Sequence, residues 1–445
     1  MSEFDVIVVG AGSAGCAVAG RLAEDPACRV LLLEAGRDDK TTFVQKPGMI
    51  SVVHTVPQVK AMFDWGYYTD PRPATIDRKI PYTRGKVLGG SSSINGMIFV
   101  RGHKQNYNDW AADGCTGWSY DDVLPAYRRM ENYDGGASAL RGTGGPVEVT
   151  TVPDLSPVTE AFMGAVASTC GVPVLDDYNG PSQEGIGRVQ MSAKDGVRFS
   201  SAHAYVTGGA PKPNLTVHTH ATGLRVEIEG SRAVGVTYLR NGQQVTARAT
   251  SEVVLSGGIV GSAQMLMLSG IGPAAQLAQH GIACRADLPV GENLHDHLFL
   301  PMTFLAPRGG HRGTPWHFLA SVIRDAMGQT TWFKRTVFES IGFVKSDPSC
   351  AIPDLQLHCL PWAYPSPNQD APVRPTVDLR PAVTVMPTLI YPESRGALRL
   401  ASADPLAHPI IDPAFLKVGA DVETLVRGAK LTREIMGDAA IAGEL

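Results

Sequence analysis

The glycines of Gly10-Ala11-Gly12-Ser13-Ala14-Gly15 carry the first chemistry legible in this sequence, because backbone without β-carbons at that spacing can wrap a pyrophosphate. The first glycine permits a tight turn, the second lets N–H groups reach phosphate oxygens, and the third lets a helix pack closely on the preceding strand. Glu34 adds an acid where a carboxylate can accept both hydroxyls of an adenosine ribose. An acid rather than a base at that place favours FAD or NAD over NADP. Histidines supply the second kind of chemistry, proton transfer. His218 and His220, like His295 and His297, are two apart and share a strand face, but neither pair has a third Cys, His or acid at metal spacing. No metal is expected.

These residues need elements to hold them. Residues 4–9 form an apolar, β-branched run, the pattern of a parallel strand buried on both faces, and it leads straight into the glycines. Ala14, Ala17, Val18 and Leu22 recur at helical spacing, and residues 29–33 give a second strand ending at Glu34. The helix start faces the phosphates. Residues 47–70, with Trp65, Tyr67 and Tyr68, show no period and read as an excursion over the cofactor. Gly89-Gly90-Ser91-Ser92-Ser93 is small enough for backbone to approach something flat or charged. Strands are expected at 215–217, 235–239 and 245–249, and residues 252–255 return to the nucleotide unit before Gly257 and Gly258, which makes that unit discontinuous. The aromatic and proline-rich stretch 298–388, with alternation at 354–358, reads as an antiparallel sheet with a lid. A helix over 421–436 presents Val422, Leu425, Val426, Ala429 and Met436 on one face, and Trp110 and Trp118 read as core.

The 445 residues exceed what one hydrophobic core serves, so two or more domains are expected. A net charge of −4 gives no electrostatic case for nucleic acid or an anionic membrane, which points to a small-molecule partner. Seven cysteines without a CxxC pair suggest neither a disulfide framework nor a zinc ribbon. With no leader-like start and no apolar run of spanning length, the sequence reads as a cytoplasmic protein without a membrane span.

The stretch Arg84-Gly85-Lys86-Val87-Leu88-Gly89-Gly90-Ser91-Ser92-Ser93-Ile94-Asn95-Gly96-Met97-Ile98, continued by Arg101-Gly102-His103, resembles the glucose-methanol-choline (GMC) oxidoreductases, flavoproteins that mostly oxidise alcohols. Residues 258–272, Pro289-Val290-Gly291-Glu292-Asn293-Leu294-His295-Asp296-His297 and Pro392-Glu393-Ser394-Arg395-Gly396 resemble further stretches of the same family. The resemblance implies an α/β fold: a discontinuous Rossmann-like FAD-binding domain with an α+β substrate domain built on an antiparallel sheet. It places FAD-domain parts at 1–150 and 201–297, substrate-domain parts at 151–200 and 298–391, and the start of a C-terminal region at 392–445. The FAD contacts it implies are Gly10, Gly12, Ser13, Ala14, Gly15, Glu34, Ala35, Val87, Gly89, Gly90, Ser91, Asn95, Gly96, Met97, Ile98 and Gly223. Gly223 falls near where members usually offer a valine backbone to the adenine. Ile94 stands where some members carry a histidine bonded to the flavin, so non-covalent FAD is implied. The expected function is oxidation of a small alcohol by hydride transfer to flavin, with oxygen or another acceptor. A lyase or fatty-acid photodecarboxylase on the same scaffold, or a flavin-binding fragment without turnover, are the alternatives. The family's catalytic histidine segment is not found before Leu445. The base is therefore expected beyond that residue, residues 1–445 alone are expected not to turn over alcohols, and His297, His295 and His358 are the in-chain substitutes.

Overall fold

The computed structural model describes residues 3–311, 314–329, 332–364 and 380–445, apart from the side chains of residues 315 and 317. The apolar start forms the strand Glu3–Val9, whose last four residues are buried, with Val30–Leu33 parallel on one side and the end of Gln243–Leu255 parallel on the other. Leu215–His218 extends this sheet beyond Val30–Leu33, while Arg232–Arg240 and Ala221–Glu229 add an antiparallel hairpin at the opposite edge. The two strands expected at 245–249 and 252–255 are one 13-residue strand, Gln243–Leu255. Its first half pairs with the hairpin and its second half with Glu3–Val9, so a single element carries the chain back into the nucleotide sheet.

A second sheet runs Leu298–Phe299, Ala382–Leu389, Leu355–Leu360, Ser340–Val344, Gly185–Arg188 and Val174–Leu175, with Met302–Leu305 also paired to Ala382–Leu389. Its pairings are antiparallel except the last. Alternation divides its side chains between two faces. Leu355, Leu357, Cys359, Val383 and Val385 pack with the helix Pro157–Cys170 and the end of the helix Gly419–Ile435. Ile341 and Phe343 face the other way and join Met97, Tyr178 and Met191.

The last helix buries a different face from the one its apolar residues suggest, except for Met436 at its end, which does enter the core. Val422 and Val426 are 41% and 46% exposed, and the buried positions are Asp421, Thr424, Gly428, Thr432 and Ile435. Small residues win because the helix lies directly on the sheet: a β-carbon at Gly428 would sit 3.2 Å from Leu355 and Pro387. Asp421 is held inside by accepting the N–H groups of Glu393 at 2.7 Å and Ser394 at 3.1 Å. Trp110 and Trp118 are likewise exposed rather than core, stacked edge-on against each other at 6.2 Å. Among the described residues no helix is long and apolar enough to cross a membrane. Residues 365–379, within the stretch read as sheet and lid, lie outside the described residues.

Candidate active site

Three glycine turns converge at the C-terminal end of the parallel strands, where ligands of such sheets bind. Gly10 takes the left-handed conformation at φ +94°, and the Ser256 hydroxyl donates to its carbonyl at 2.8 Å. A β-carbon on Gly10 would lie 2.7 Å from the Gly257 Cα, and one on Gly15 would strike the Gly10 carbonyl oxygen. Gly12 differs: a β-carbon there would meet nothing nearer than the Ser256 carbonyl oxygen at 3.9 Å. It faces open space at the start of the helix Ser13–Leu22, where Ser13 and Ala14 are exposed and the first N–H groups have no intrahelical acceptor. The second glycine loop is tied to this turn by the Gly89 N–H, which donates to the Ala11 carbonyl at 2.7 Å. Gly90, at φ +54°, comes so close that a β-carbon would be 2.7 Å from the Gly12 Cα, and Ser91 beside it stays exposed. Gly12, Ser13, Ala14, Gly90 and Ser91 thus border one space rich in backbone N–H groups, which fits a pyrophosphate.

Glu34 ends its strand fully buried. One carboxylate oxygen accepts the Ala11 N–H at 3.1 Å and the other the Gly36 N–H at 2.8 Å, so the acid braces the glycine turn and has lone pairs left over for further donors. Burial pushes its pKa up to about 7, against the pull of those two N–H groups. A folded value above the ordinary 4.5 means that Glu34 stabilises the cofactor-free fold fully below pH 4.5 and loses that contribution as pH rises through about 7. Hydroxyl donors from a ribose favour the charged form, so FAD affinity is expected to rise with pH up to about 7 and then level off. Titration of cofactor-free protein with FAD between pH 5.5 and 8.5 checks this. Glu34→Gln should flatten the profile and weaken binding by about 1.5–3 kcal/mol, the usual worth of a hydrogen bond to a charged group.

Beyond Glu34 a cavity of about 450 Å³ is bordered by Ala35, Gly36, Arg37, Lys86 and His220. Val87 is buried beside it, bridged to Arg37 in parallel. Gly223 lies two residues after Ala221, whose N–H donates to the Glu34 carbonyl, and a β-carbon on Gly223 would be 2.8 Å from Val9. Of the residues expected at an adenosine, Ala35 lines this cavity, while Val87 packs into the cluster with Phe63 and Ile94 and Gly223 abuts Val9.

The other end of the loop reaches the second sheet. Asn95 is exposed and Gly96 half-buried, and a β-carbon on Gly96 would lie 2.7 Å from the Phe338 ring. Met97 and Ile98 turn their side chains into the hydrophobic cluster with Ile341 and Phe343, so only their backbone is available to a flavin. His358 belongs to the sheet face opposite the helices and packs 5.4 Å from Phe338. It is half-buried with its Nδ1 shielded from solvent, burial pushes its pKa down to about 4, and nearby His297 adds to that shift. Its Nδ1 has no hydrogen-bond partner. A neutral imidazole with an idle nitrogen at the meeting point of sheet and cofactor loop suits an alcohol hydroxyl. His297 is exposed, with Nδ1 3.3 Å from Asp296, which pairs with Arg84 at 2.8 Å, and the His295 ring nitrogen turns back to the Asn293 carbonyl at 3.0 Å. Among the described residues no group of three or more His, Cys, Asp or Glu could hold a metal.

Two residues at this end escaped the sequence reading. His54 donates from Nε2 to the Ile94 carbonyl at 2.8 Å, and burial pushes its pKa down. Arg198 donates to the carbonyls of Val44, Ser92 and Asn95 and to the Asn95 side chain at 2.9–3.1 Å. Both serve backbone carbonyls distant in sequence, a task that leaves no spacing signal; the clue was a lone basic residue, Arg198, beside the small run Ser200-Ser201-Ala202. Arg101 is buried and paired with Glu131 at 2.7 Å, away from the cleft.

A family model described as GMC oxidoreductase matches residues 4–299, and a second of the same description matches residues 392–445. Among curated proteins, an oxygen-dependent choline dehydrogenase of Sinorhizobium medicae (strain WSM419) is 38% identical over 98% of this chain and 78% of its own length. An alcohol dehydrogenase [acceptor] of Pseudomonas putida is 37% identical over 97% of this chain and 78% of its own. Among solved structures, pyridoxine 4-oxidase from Mesorbium loti superposes with a TM-score of 0.86 at 28% identity, covering 99% of this chain and 82% of that one.

Proposed function

We propose, from the premise that this chain belongs to the GMC oxidoreductase family and is an FAD-dependent alcohol oxidoreductase, that its substrate is a small alcohol whose hydroxyl meets His358. FAD, when bound, supplies the acceptor for the hydride that leaves the carbinol carbon. The chain's own part is to hold and orient. Gly12, Ser13 and Ala14 receive the pyrophosphate, and Glu34 the ribose. Gly90 and Ser91 would border the pyrophosphate too, Asn95 and Gly96 would lie along the ring system, and Phe338 with His358 would form the wall on which the alcohol rests.

The observation that carries this reading is the unpartnered Nδ1 of a half-buried, neutral His358 on the sheet face turned toward the cofactor loop. Buried polar groups rarely stay unpaired without a use. A substrate hydroxyl supplies the missing partner, and fixing its oxygen aims the carbinol hydrogen at the flavin. FAD is held without a covalent link, since Ile94 has no nucleophilic atom and its side chain is buried with Val87 and Phe63.

The test is anaerobic mixing of the FAD-loaded protein with a panel of alcohols that includes choline. In contrast to the inactivity expected from the missing histidine segment, a working His358 should allow bleaching of the visible flavin band by at least one alcohol, with recovery on admission of air or of an added acceptor. Bleaching by dithionite and by no alcohol would overturn the reading. Acid precipitation of the same sample should leave the yellow colour in the supernatant, and colour kept in the pellet would rule out non-covalent FAD.

A further inference from the structure

Arg198 is a fully enclosed cation that no carboxylate meets among the described residues. Other buried guanidinium groups in the protein are handled differently: Arg101 and Arg141 share Glu131 at 2.7 and 3.0 Å, and Arg141 also reaches Asp177 at 2.7 Å. The donors of Arg198 go only to the carbonyls of Val44, Ser92 and Asn95 and to the Asn95 amide oxygen, and they use Nε and Nη1. Carbonyl dipoles hold such a group in place but do not neutralise it. A buried charge left without a counter-charge costs several kcal/mol, and burial does depress this guanidinium, to about 9, which leaves it a cation at neutral pH. The fold therefore carries an uncompensated positive charge at a chosen place.

That place is the substrate end of the cofactor loop. The glycines facing the phosphates are Gly12 and Gly90, and Arg198 grips the chain beyond them, at Ser92 and Asn95, next to the Gly96 that touches Phe338. The grip also orients a donor. The described chain has no cis peptide bond, so the Asn95 carbonyl and the Gly96 N–H point in opposite directions. With that carbonyl bound to Arg198, and the Ile94 carbonyl bound to His54, the Gly96 N–H is turned away from the guanidinium and has no partner among the described residues.

We propose that Arg198 is the built-in counter-charge for electron uptake: it fixes the Asn95–Gly96 peptide with its N–H free and places a positive charge where FAD becomes negative on reduction. The balance requires one. A hydride brings two electrons and one proton to the cofactor while the alcohol's other proton leaves to a base, so the ring system gains one negative charge and the alcohol becomes a carbonyl compound. Arg198 lowers the energy of that charge without touching the substrate. The proposal rests on FAD lying along the loop, a premise that flavin content tests separately.

The experiment measures the midpoint potential of bound FAD, by dye-coupled titration, in the wild-type protein, Arg198→Lys and Arg198→Met. Arg198→Met keeps bulk and removes charge; Arg198→Lys keeps charge and loses the planar fork. The expected result is that Arg198→Met binds FAD yet shows an about tenfold lower ratio of reduced to oxidised cofactor at a fixed potential, equivalent to about 30 mV for a two-electron couple. Arg198→Lys should retain more than half of the wild-type advantage. A wild-type potential in Arg198→Met, or equal falls in both variants, would overturn the proposal and leave Arg198 as a staple for three carbonyls. Should Arg198→Met fail to hold FAD, Arg198→Lys decides alone: a potential close to wild type supports the counter-charge and a tenfold fall removes it.

Discussion

Valine in place of Gly12 is expected to give a folded protein without FAD, whereas valine in place of Gly15 is expected to give little folded protein at all. The two glycines are three residues apart in one turn, yet their surroundings differ. A β-carbon at Gly15 would run into the Gly10 carbonyl and within 2.6 Å of the Ser256 hydroxyl, inside a junction of helix and strand that cannot open without breaking the sheet end. A β-carbon at Gly12 finds free space, with its nearest neighbour 3.9 Å away and backbone angles that any residue adopts. That free space is where the proposed FAD would place its pyrophosphate. Overpacking of this kind costs roughly 1–3 kcal/mol when neighbours can yield, and more when backbone cannot. Circular dichroism with flavin content per chain separates the outcomes. Gly12→Val with normal FAD would remove the nucleotide assignment, and Gly15→Val with native stability would show that the junction is looser than its contacts.

The second large effect is expected at His358. Removing the imidazole in His358→Ala should lower kcat/KM for the preferred alcohol by about 10²–10⁴, the range of a positioned acid–base or hydroxyl-orienting group. FAD content should hold, because the residue sits on the second sheet. Since burial keeps the ring neutral above about pH 4, the wild-type rate should show no titration of this histidine between pH 5 and 9. His358→Gln, which can still exchange a hydrogen bond, should recover part of the loss. An unchanged kcat/KM in His358→Ala would move the search to His297, which is exposed and already engaged with Asp296.

The nucleotide half was legible because its signal is local. Strand, turn, helix, strand and acid fall within residues 4–34, and each glycine's role follows from spacing alone. The substrate half depends on residues whose meaning arises only when distant segments meet. His54, Arg198 and Thr336 all bond to carbonyls of residues 92–96 from elsewhere in the chain, and nothing in their own neighbourhoods marks them. The last helix shows the same limit from the other direction. An apolar stripe predicts a buried face when helices pack at ordinary distance, but here Gly428 and two threonines bring the helix axis closer than any stripe of valine and leucine allows. The sequence marks Glu34 as a candidate ribose acceptor; its bonds to Ala11 and Gly36 show it bracing the glycine turn, a task invisible without the third dimension.

The pairing of Glu3–Val9 with Gln243–Leu255 has a consequence for how this protein is made. Once translated, Glu3–Val9 waits for about 250 further residues before its partner Gln243–Leu255 is available. At 5–20 residues per second that is a wait of roughly 12–50 s, during which Val6, Ile7, Val8 and Val9 have no sheet to bury them on both sides. Such long-range parallel pairing makes for slow folding and for nascent chains that aggregate when synthesis outruns assembly. Yield in a host should therefore depend on chaperone supply and growth temperature far more than on anything in the active site.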